Sequence, residues 1–466
     1  MKFSRYTHAF SLGDNVALYN SLRMKPVYLS GEKYIAIKDF LTTGLEVAPD
    51  EIKTELDELV KYKIIIKDDE TDLKILDFVK SKIPNPAVNI CYFILSEQCN
   101  LACKYCFLGN NNKDKRIKFK KENMTKEIAC KGIDFFIKQL EIQPFDDTRK
   151  PNVIFYGGEP LINFETLDFI VYRFEELKAA HPVLNNIEYS IVTNGLLLTE
   201  ERMKRLHELK VSIAISIDGC DEKANQMRVD TAGNTVFHKI VKTLDLAKSI
   251  HIPVSLSITL TEESIKNKEA MLDLIKKYEI KGLGFNIMMS DANSKLPESY
   301  NSDAANFIID MFKELRKLGI YEDRIMRKLK SFANAQVYFS DCAATSGAQI
   351  VIASNGEIGI CHGCLADRKY FDQNVNNLDF NPALNPIWKE WSRLSPIEKS
   401  ECQDCEALGI CGGGCPINAM NEKQGNDIHS LDTRFCVHAK TTLRFLISDL
   451  YRIVSGKDEK CQKISL

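Results

Sequence analysis

The stretch Ser96-Glu97-Gln98-Cys99-Asn100-Leu101-Ala102-Cys103-Lys104-Tyr105-Cys106-Phe107 decides how the rest of the chain is read. Three cysteines separated by three and two residues let a short backbone loop wrap its thiols around one centre. Soft thiolates select zinc or iron–sulfur clusters. A structural zinc is closed by four ligands, and this group offers three, with no histidine among the flanking residues. A [4Fe–4S] cluster also takes four. Three thiolates would leave one iron open to a small molecule, which suits catalysis better than structure. Three core cysteines that share no ligand are the plain alternative.

Working outward, the chain has 466 residues, 15 of them cysteine. That length predicts two or three domains rather than one core. With 62 Lys and Arg against 64 Asp and Glu, the net charge of −2 gives no general pull toward nucleic acid or anionic membrane. The first residues lack the apolar run of a signal peptide, and no apolar stretch is long enough to span a membrane. A cytoplasmic protein is expected. Disulfides are rare in that compartment, so the cysteines need another use.

Apolar runs at 90–95, 152–156, 188–192, 211–217, 253–259 and 283–288 predict strands. They alternate with helical patterns such as Glu127 to Leu140 and Thr199 to Leu209. Such alternation predicts an α/β fold with a parallel sheet. Sites in these folds lie just past the C-terminal ends of strands. Cys99, Gly157, Asn194, Ser216 and Asp218 fall at or near such ends.

Cx3CxxC followed by Phe107 is the signature of the radical S-adenosylmethionine (SAM) enzymes, and the chain resembles that family over roughly residues 88–290. Phe155-Tyr156-Gly157-Gly158-Glu159-Pro160 is similar to its Gly-Gly-Glu-Pro motif. Val192-Thr193-Asn194-Gly195 and Ile215-Ser216-Ile217-Asp218-Gly219 match the ends of its third and fourth strands. Arg228 sits where the family often contacts SAM. The resemblance implies a partial (β/α)6 barrel in which Cys99, Cys103 and Cys106 hold a [4Fe–4S] cluster. Phe107, Gly157, Gly158, Glu159, Asn194, Ser216, Asp218 and Arg228 would then line the SAM site, Glu159 receiving the amino group.

A second set of cysteines reads Cys342, Cys361, Cys364, then Cys402-x2-Cys405-x5-Cys411-x3-Cys415, then Cys436. By itself this set is open to two zinc sites or to iron–sulfur clusters. It resembles the SPASM extension of some radical SAM enzymes. That resemblance implies two auxiliary [4Fe–4S] clusters, one on Cys342, Cys361 and Cys415, the other on Cys402, Cys405, Cys411 and Cys436. Cys364 is extra: a fourth ligand of the first auxiliary cluster, a spectator, or a sign that one iron is open. Cys91 and Cys130 read as core and Cys461 as part of a polar tail. Cys220, after the Asp218-Gly219 turn, and His362, where the sulfatase-maturing relatives place a basic aspartate, are the catalytic candidates.

The first 86 residues change pattern. Val27-Tyr28-Leu29, a turn at Ser30 to Lys33, and Tyr34 to Ile37 predict a hairpin. Asp50 to Val60 and Asp72 to Val79 predict helices, Ile64 to Ile66 a strand, and Pro84 and Pro86 a linker. This make-up is winged-helix-like. Acidic neighbours balance Lys61, Lys63 and Lys67, so no phosphate-binding face is evident. The combination resembles the leader-peptide recognition element of radical SAM peptide maturases.

The expected organisation is therefore a recognition module at 1–86, the partial barrel at 87–320, and a SPASM domain with a C-terminal helix at 321–466. The resemblance implies a SAM-dependent, oxygen-sensitive oxidoreductase with three [4Fe–4S] clusters. It would act on a ribosomally made precursor peptide, with flavodoxin or ferredoxin as electron donor and a thioether crosslink as product. An anaerobic sulfatase-maturing enzyme is the alternative in the same family, and a non-catalytic zinc-binding winged-helix protein the alternative outside it. The Lys113 to Lys121 run reads as a solvated loop.

Overall fold

Strict alternation along the parallel strands sets the architecture. The computed structural model describes residues 1–43, 47–106, 108, 122–144, 150–289, 296–422 and 427–466; Phe107 and the Lys113 to Lys121 run lie outside them. Among these, ten strands form the central sheet: β1 (Ile90–Ser96), β2 (Asn152–Gly157), β3 (Glu188–Thr193), β4 (Val211–Ile217), β5 (Val254–Leu260), β6 (Gly282–Ile287), β7 (Tyr321–Glu322), β8 (Gln349–Ile352), β9 (Glu357–Gly359) and β10 (Phe371–Asn374). Their order is β7-β6-β5-β4-β3-β2-β1-β8-β9-β10. Every pairing from β7 to β8 is parallel, and β9 and β10 add antiparallel.

β1 to β6 match the six expected strands to within a residue at either end. The sheet does not stop there. The two-residue β7 extends one edge, and β8 returns from far along the chain to lie beside β1. No local pattern announces a pairing between Ile90 and Gln349. The sheet thus runs through the boundary expected at residue 320.

Phe93, Phe155, Ile191, Ile215, Ile258 and Phe285 on one face are fully buried in the main core. Along the other parity, apart from the fully buried Ile94 and Ser96 on β1, side chains are only half-buried: Tyr92 and Tyr156 on β1 and β2, then Ser190, Ser216, Ser257 and Asn286 on β3 to β6. A parallel sheet covered on both sides reads as continuous apolar runs. Here polar and small side chains alternate with apolar ones, so one face packs on helices and the other is left for a site. The helices start where the sequence supplies caps. Thr125 accepts from Ile128 N to open Lys126–Glu141, and Thr199 accepts from Arg202 N to open Glu200–Glu208.

The N-terminal sheet differs from expectation. Thr7–Leu12, Asn15–Asn20 and Pro26–Ser30 form an antiparallel meander, and Cys461–Ile464 adds to its Thr7–Leu12 edge. Cys461 is therefore in a strand rather than a polar tail. Tyr34 to Ile37, expected as a hairpin strand, lies in the helix Gly31–Thr43. Its buried residues Tyr34, Ile37 and Phe40 recur every three positions while Ile35 is exposed, which is helical spacing. The expected helices appear as Lys53–Lys61 and Asp69–Lys80, and Ile65–Ile66 pairs with Lys2–Phe3. One face of the meander, with Phe10, Leu12 and Tyr19, packs on Leu443 and Ile447 of the long helix Thr433–Ser455.

Candidate functional site

The three cysteines of the opening motif lie in the loop that leaves β1. Backbone hydrogen bonds hold it on two sides. Gly158 N donates to Ser96 O at 2.9 Å and Glu159 N to Gln98 O at 2.8 Å. Ala102 N donates to Val229 O and Lys104 N to Met227 O, each at 2.8 Å, with a bridge between Leu101 and Asp230. The first contact explains the glycine pair. A Cβ at Gly157 would stand 2.2 Å from Ser96 O, and one at Gly158 would stand 2.3 Å from Gln98 O. Gly157 also has φ +141°.

Strand ends then close around the loop. The Glu159 carboxylate is buried and accepts from Leu161 N at 3.0 Å, Thr193 Oγ1 at 2.7 Å and Asn194 N at 2.9 Å. In this structure it fastens the end of β3 to the turn after β2. Asn194 reaches the loop itself, donating to Asn100 Oδ1 at 2.7 Å. Leu101 N points at Cys99 Sγ at 3.4 Å. Past β4, Arg228 donates to Asp218 Oδ1 at 2.7 Å and to the Tyr105 hydroxyl at 2.6 Å, and Tyr105 also bonds Asp218. Asp218 and Arg228 are buried and Tyr105 is half-buried, while Asp218 Oδ2 is buried with no hydrogen-bond partner among the described residues. Ser216 is half-buried on the open face of β4.

These residues fit an iron–sulfur cluster with SAM beside it. The donor set is three partly buried thiols on one loop. The backbone by Gly157 and Gly158 leaves no room for side chains. Asp218 Oδ2 is a buried acceptor awaiting a donor such as a hydroxyl or ammonium. Burial pushes the Cys99 thiol up to about 12 and the Cys106 thiol up to about 11. Both are neutral in the free chain, so loading a metal centre releases protons. Among the described residues no three His, Cys, Asp or Glu side chains close on a single metal ion.

The remaining cysteines fall into two groups in space that do not follow their order in the sequence. Cys415 is within electrostatic reach of Cys361 and Cys342, and Cys436 of Cys411, Cys402 and Cys405. Cys361 and Cys364 bracket the 3₁₀ turn His362–Cys364, where side chains three apart eclipse. The Cys364 side chain is buried, and its closeness pushes the Cys361 thiol well above its ordinary value. Gly412, Gly413 and Gly414, all at positive φ, carry the chain from Cys411 to Cys415. Cys91 is buried in β1, as expected of a core thiol, and Cys130 lies in the helix Lys126–Glu141. Cys220 is half-buried after β4, with Asp221 the nearest charge acting on it.

His362 stacks on Tyr92, with centroids 4.8 Å apart, and leans on Tyr156 at 5.0 Å. Burial lowers its pKa to about 4, so it is neutral and holds a proton poorly at neutral pH. Tyr156 lies within electrostatic reach of both Cys106 and Cys361. The three rings therefore stand between the first cysteine loop and the second cysteine set. The sequence pattern singled out His362 but neither tyrosine, because both read as ordinary strand residues. Tyr105, Asn100 and the charged residues Lys328, Asp341, Asp432 and Arg434 near the second set were also missed. Only Tyr105 and Asn100 carried a signal, their place inside the cysteine loop.

Residues 93–275 match the family model for the Radical SAM superfamily. The chain is 26% identical over 370 residues to the radical SAM cyclopropyl synthase TigE of Paramaledivibacter caminithermalis, covering 76% of this chain and 73% of that one. Among solved structures, anSMEcpe with bound AdoMet superposes with a TM-score of 0.63 at 21% identity, covering 80% of this chain and 96% of that one. SuiB of Streptococcus suis superposes at 0.52 and 18%, covering 92% and 98%. SuiB has also been solved with its precursor peptide SuiA. At these identities the two structures establish likeness of fold.

Proposed function

We propose that this chain, a radical SAM enzyme, matures a ribosomally made precursor peptide by closing a thioether between a cysteine and a carbon of that peptide. The observation that carries the reading is the strand Pro26–Ser30, which ends the N-terminal sheet and pairs on one side only among the described residues. Such an edge accepts an extended peptide as an added strand through main-chain hydrogen bonds. The C-terminal strand Cys461–Ile464 takes the opposite edge. The leader would therefore dock on Pro26–Ser30.

Cys99, Cys103 and Cys106 would hold the SAM-binding cluster, with Gly157, Gly158, Asn194, Ser216, Asp218 and Arg228 around SAM. When bound, cluster and SAM would supply the radical chemistry for removing a hydrogen atom from a substrate carbon. The chain orients and shields. Arg228 engages Asp218 Oδ1, leaving Oδ2 to accept from a hydroxyl or the amino group. Glu159, whose oxygens already serve three donors of the chain, positions Asn194. Tyr92, Tyr156 and His362 fill the side of the open face nearest Cys361 and exclude water there.

Two auxiliary clusters complete the reading: Cys342, Cys361, Cys364 and Cys415 for the first, and Cys402, Cys405, Cys411 and Cys436 for the second. With Cys364 as a fourth thiol, the first auxiliary site would be closed by the chain's own cysteines and would accept the electron left over when the thioether closes, while flavodoxin or ferredoxin would reduce the SAM-binding cluster. A formylglycine-forming reaction would ask His362 to act as base, and its burial opposes that.

The test is co-expression with a short cysteine-bearing peptide encoded beside this gene. Loss of two hydrogens in mass together with loss of one alkylatable thiol is the expected result. Unchanged mass refutes the crosslink. Two hydrogens lost with the thiol still alkylatable moves the product to a carbon–carbon bond. Anaerobically purified protein that is colourless and carries stoichiometric zinc refutes the whole reading.

A further inference from the structure

The helix Asp323–Asn334 turns two cations toward the buried Asp341 carboxylate and a third toward its backbone carbonyl. Lys328, 1% exposed, reaches Asp341 Oδ1 at 3.3 Å. Arg324 reaches Asp341 Oδ2 at 3.2 Å, and Arg327 donates to Asp341 O and pairs with Asp323 at 2.9 Å. The Lys328 ammonium also donates to Cys411 O at 2.7 Å and Ile410 O at 3.3 Å. Asp341 N in turn donates to Gly412 O at 2.8 Å. Asp341 precedes Cys342, a member of the first auxiliary set; Cys411 belongs to the second. One buried lysine thus bonds the turns that carry both sets.

The charges do not cancel. Three cations face Asp341, and Asp323 answers one of them from the rim, which leaves a positive surplus around a buried lysine. Burying unmatched charge is costly unless an anion lies close. A cluster held by four thiolates is such an anion and becomes more negative when it accepts an electron. Net charge and hydrogen bonding near a cluster set its potential.

We propose that Lys328 is a positioning residue shared by the two auxiliary sites, tying the Cys411 turn to the Asp341–Cys342 turn and holding a positive charge between them that favours their reduced state. The inference rests on the two-cluster reading above. Its test is a potentiometric titration of the anaerobically reconstituted full chain, followed by electron paramagnetic resonance, with iron counted per chain. The SAM-binding cluster is identified by the change in its signal when SAM is added.

In Lys328→Met, an auxiliary potential moves to more negative values while that of the SAM-binding cluster stays put. Lys328→Arg, which keeps the charge, titrates near the wild type. Full iron with unmoved auxiliary potentials in Lys328→Met overturns the proposal. If Lys328→Met loses auxiliary iron, retention in Lys328→Arg supports it, and loss in both variants overturns it in favour of packing alone. A wild-type chain without auxiliary signals overturns the two-cluster reading and this inference together. Wild-type signals with an indifferent Lys328→Met overturn this inference only.

Discussion

The first cysteine loop and the second cysteine region are held by different forces. Around Cys99, Cys103 and Cys106 the bonds run mostly from backbone to backbone, to Ser96, Gln98, Met227 and Val229. Around Cys342, Cys411 and Cys415 the holding groups are buried charges. Lys328 meets Asp341 there, and Arg434 meets Asp432, whose carboxylate accepts from Cys415 N at 2.9 Å. Backbone bonds tolerate a change of side chain unless the side chain itself collides. A buried ion pair fails when either partner is removed. The first region therefore rests mainly on backbone fit at its glycines, with one buried pair, Arg228 and Asp218, beside it, and the second rests mainly on buried charges alongside its own glycine run.

Complete loss is expected where the chemistry has no substitute. Cys103→Ala abolishes formation of 5′-deoxyadenosine from SAM and a reductant, measured by chromatography, while the iron bound by the second region persists. Loss of all iron would mean that the two regions assemble as one unit and that the contrast is wrong.

The next effect falls on stability. Arg434 is 5% exposed and bonds Asp432 at 3.0 Å, and its other arm donates to Ile287 O at the end of β6. Arg434→Met leaves Asp432 buried without its cation and should cost about 3–5 kcal/mol. Urea unfolding of the reconstituted protein measures it. A cost under about 1 kcal/mol would show that Cys415 N and Asn418, which also bond Asp432, suffice to hold it.

In the first region the comparable change is one methyl group. Gly158→Ala places a Cβ against Gln98 O and must displace the loop that bears Cys99. A shift near 1 Å lowers turnover by about 100-fold. The rate of SAM cleavage at saturating SAM reads it, and Asn100→Ala, which removes only the bond from Asn194, should cost much less.

This division also explains what the sequence made legible. β1 to β6 were readable because alternation and strand-end motifs are local. So was the cysteine loop, since its spacing is its chemistry. Tyr34 to Ile37 misled because four mostly apolar residues fit a strand as well as a helix, and only the exposure of Ile35 decides. β8 beside β1, and Cys461–Ile464 beside Thr7–Leu12, are pairings between distant segments that no window contains. Lys328 and Arg434 are two among 62 basic residues. Composition does not show which cation is buried, so the groups that hold the second region were invisible while its ligands were plain.

The smallest effect probes the contact between the N-terminal module and the second region. Arg5 bonds Asp404, which lies between Cys402 and Cys405, through Nε at 2.6 Å and Nη2 at 3.2 Å. The geometry is bidentate, yet the side chains are 55% and 73% exposed. Water screens such a pair, and salt screens it further. Arg5→Ala should therefore change stability by about 0–1 kcal/mol, with the difference shrinking as salt is raised. Unfolding in urea at low and high ionic strength measures both. A salt-insensitive loss of several kcal/mol would instead mean that the pair is shielded in solution and that the module is bound to the second region by charge, as Lys328 binds the Asp341–Cys342 turn to the Cys411 turn.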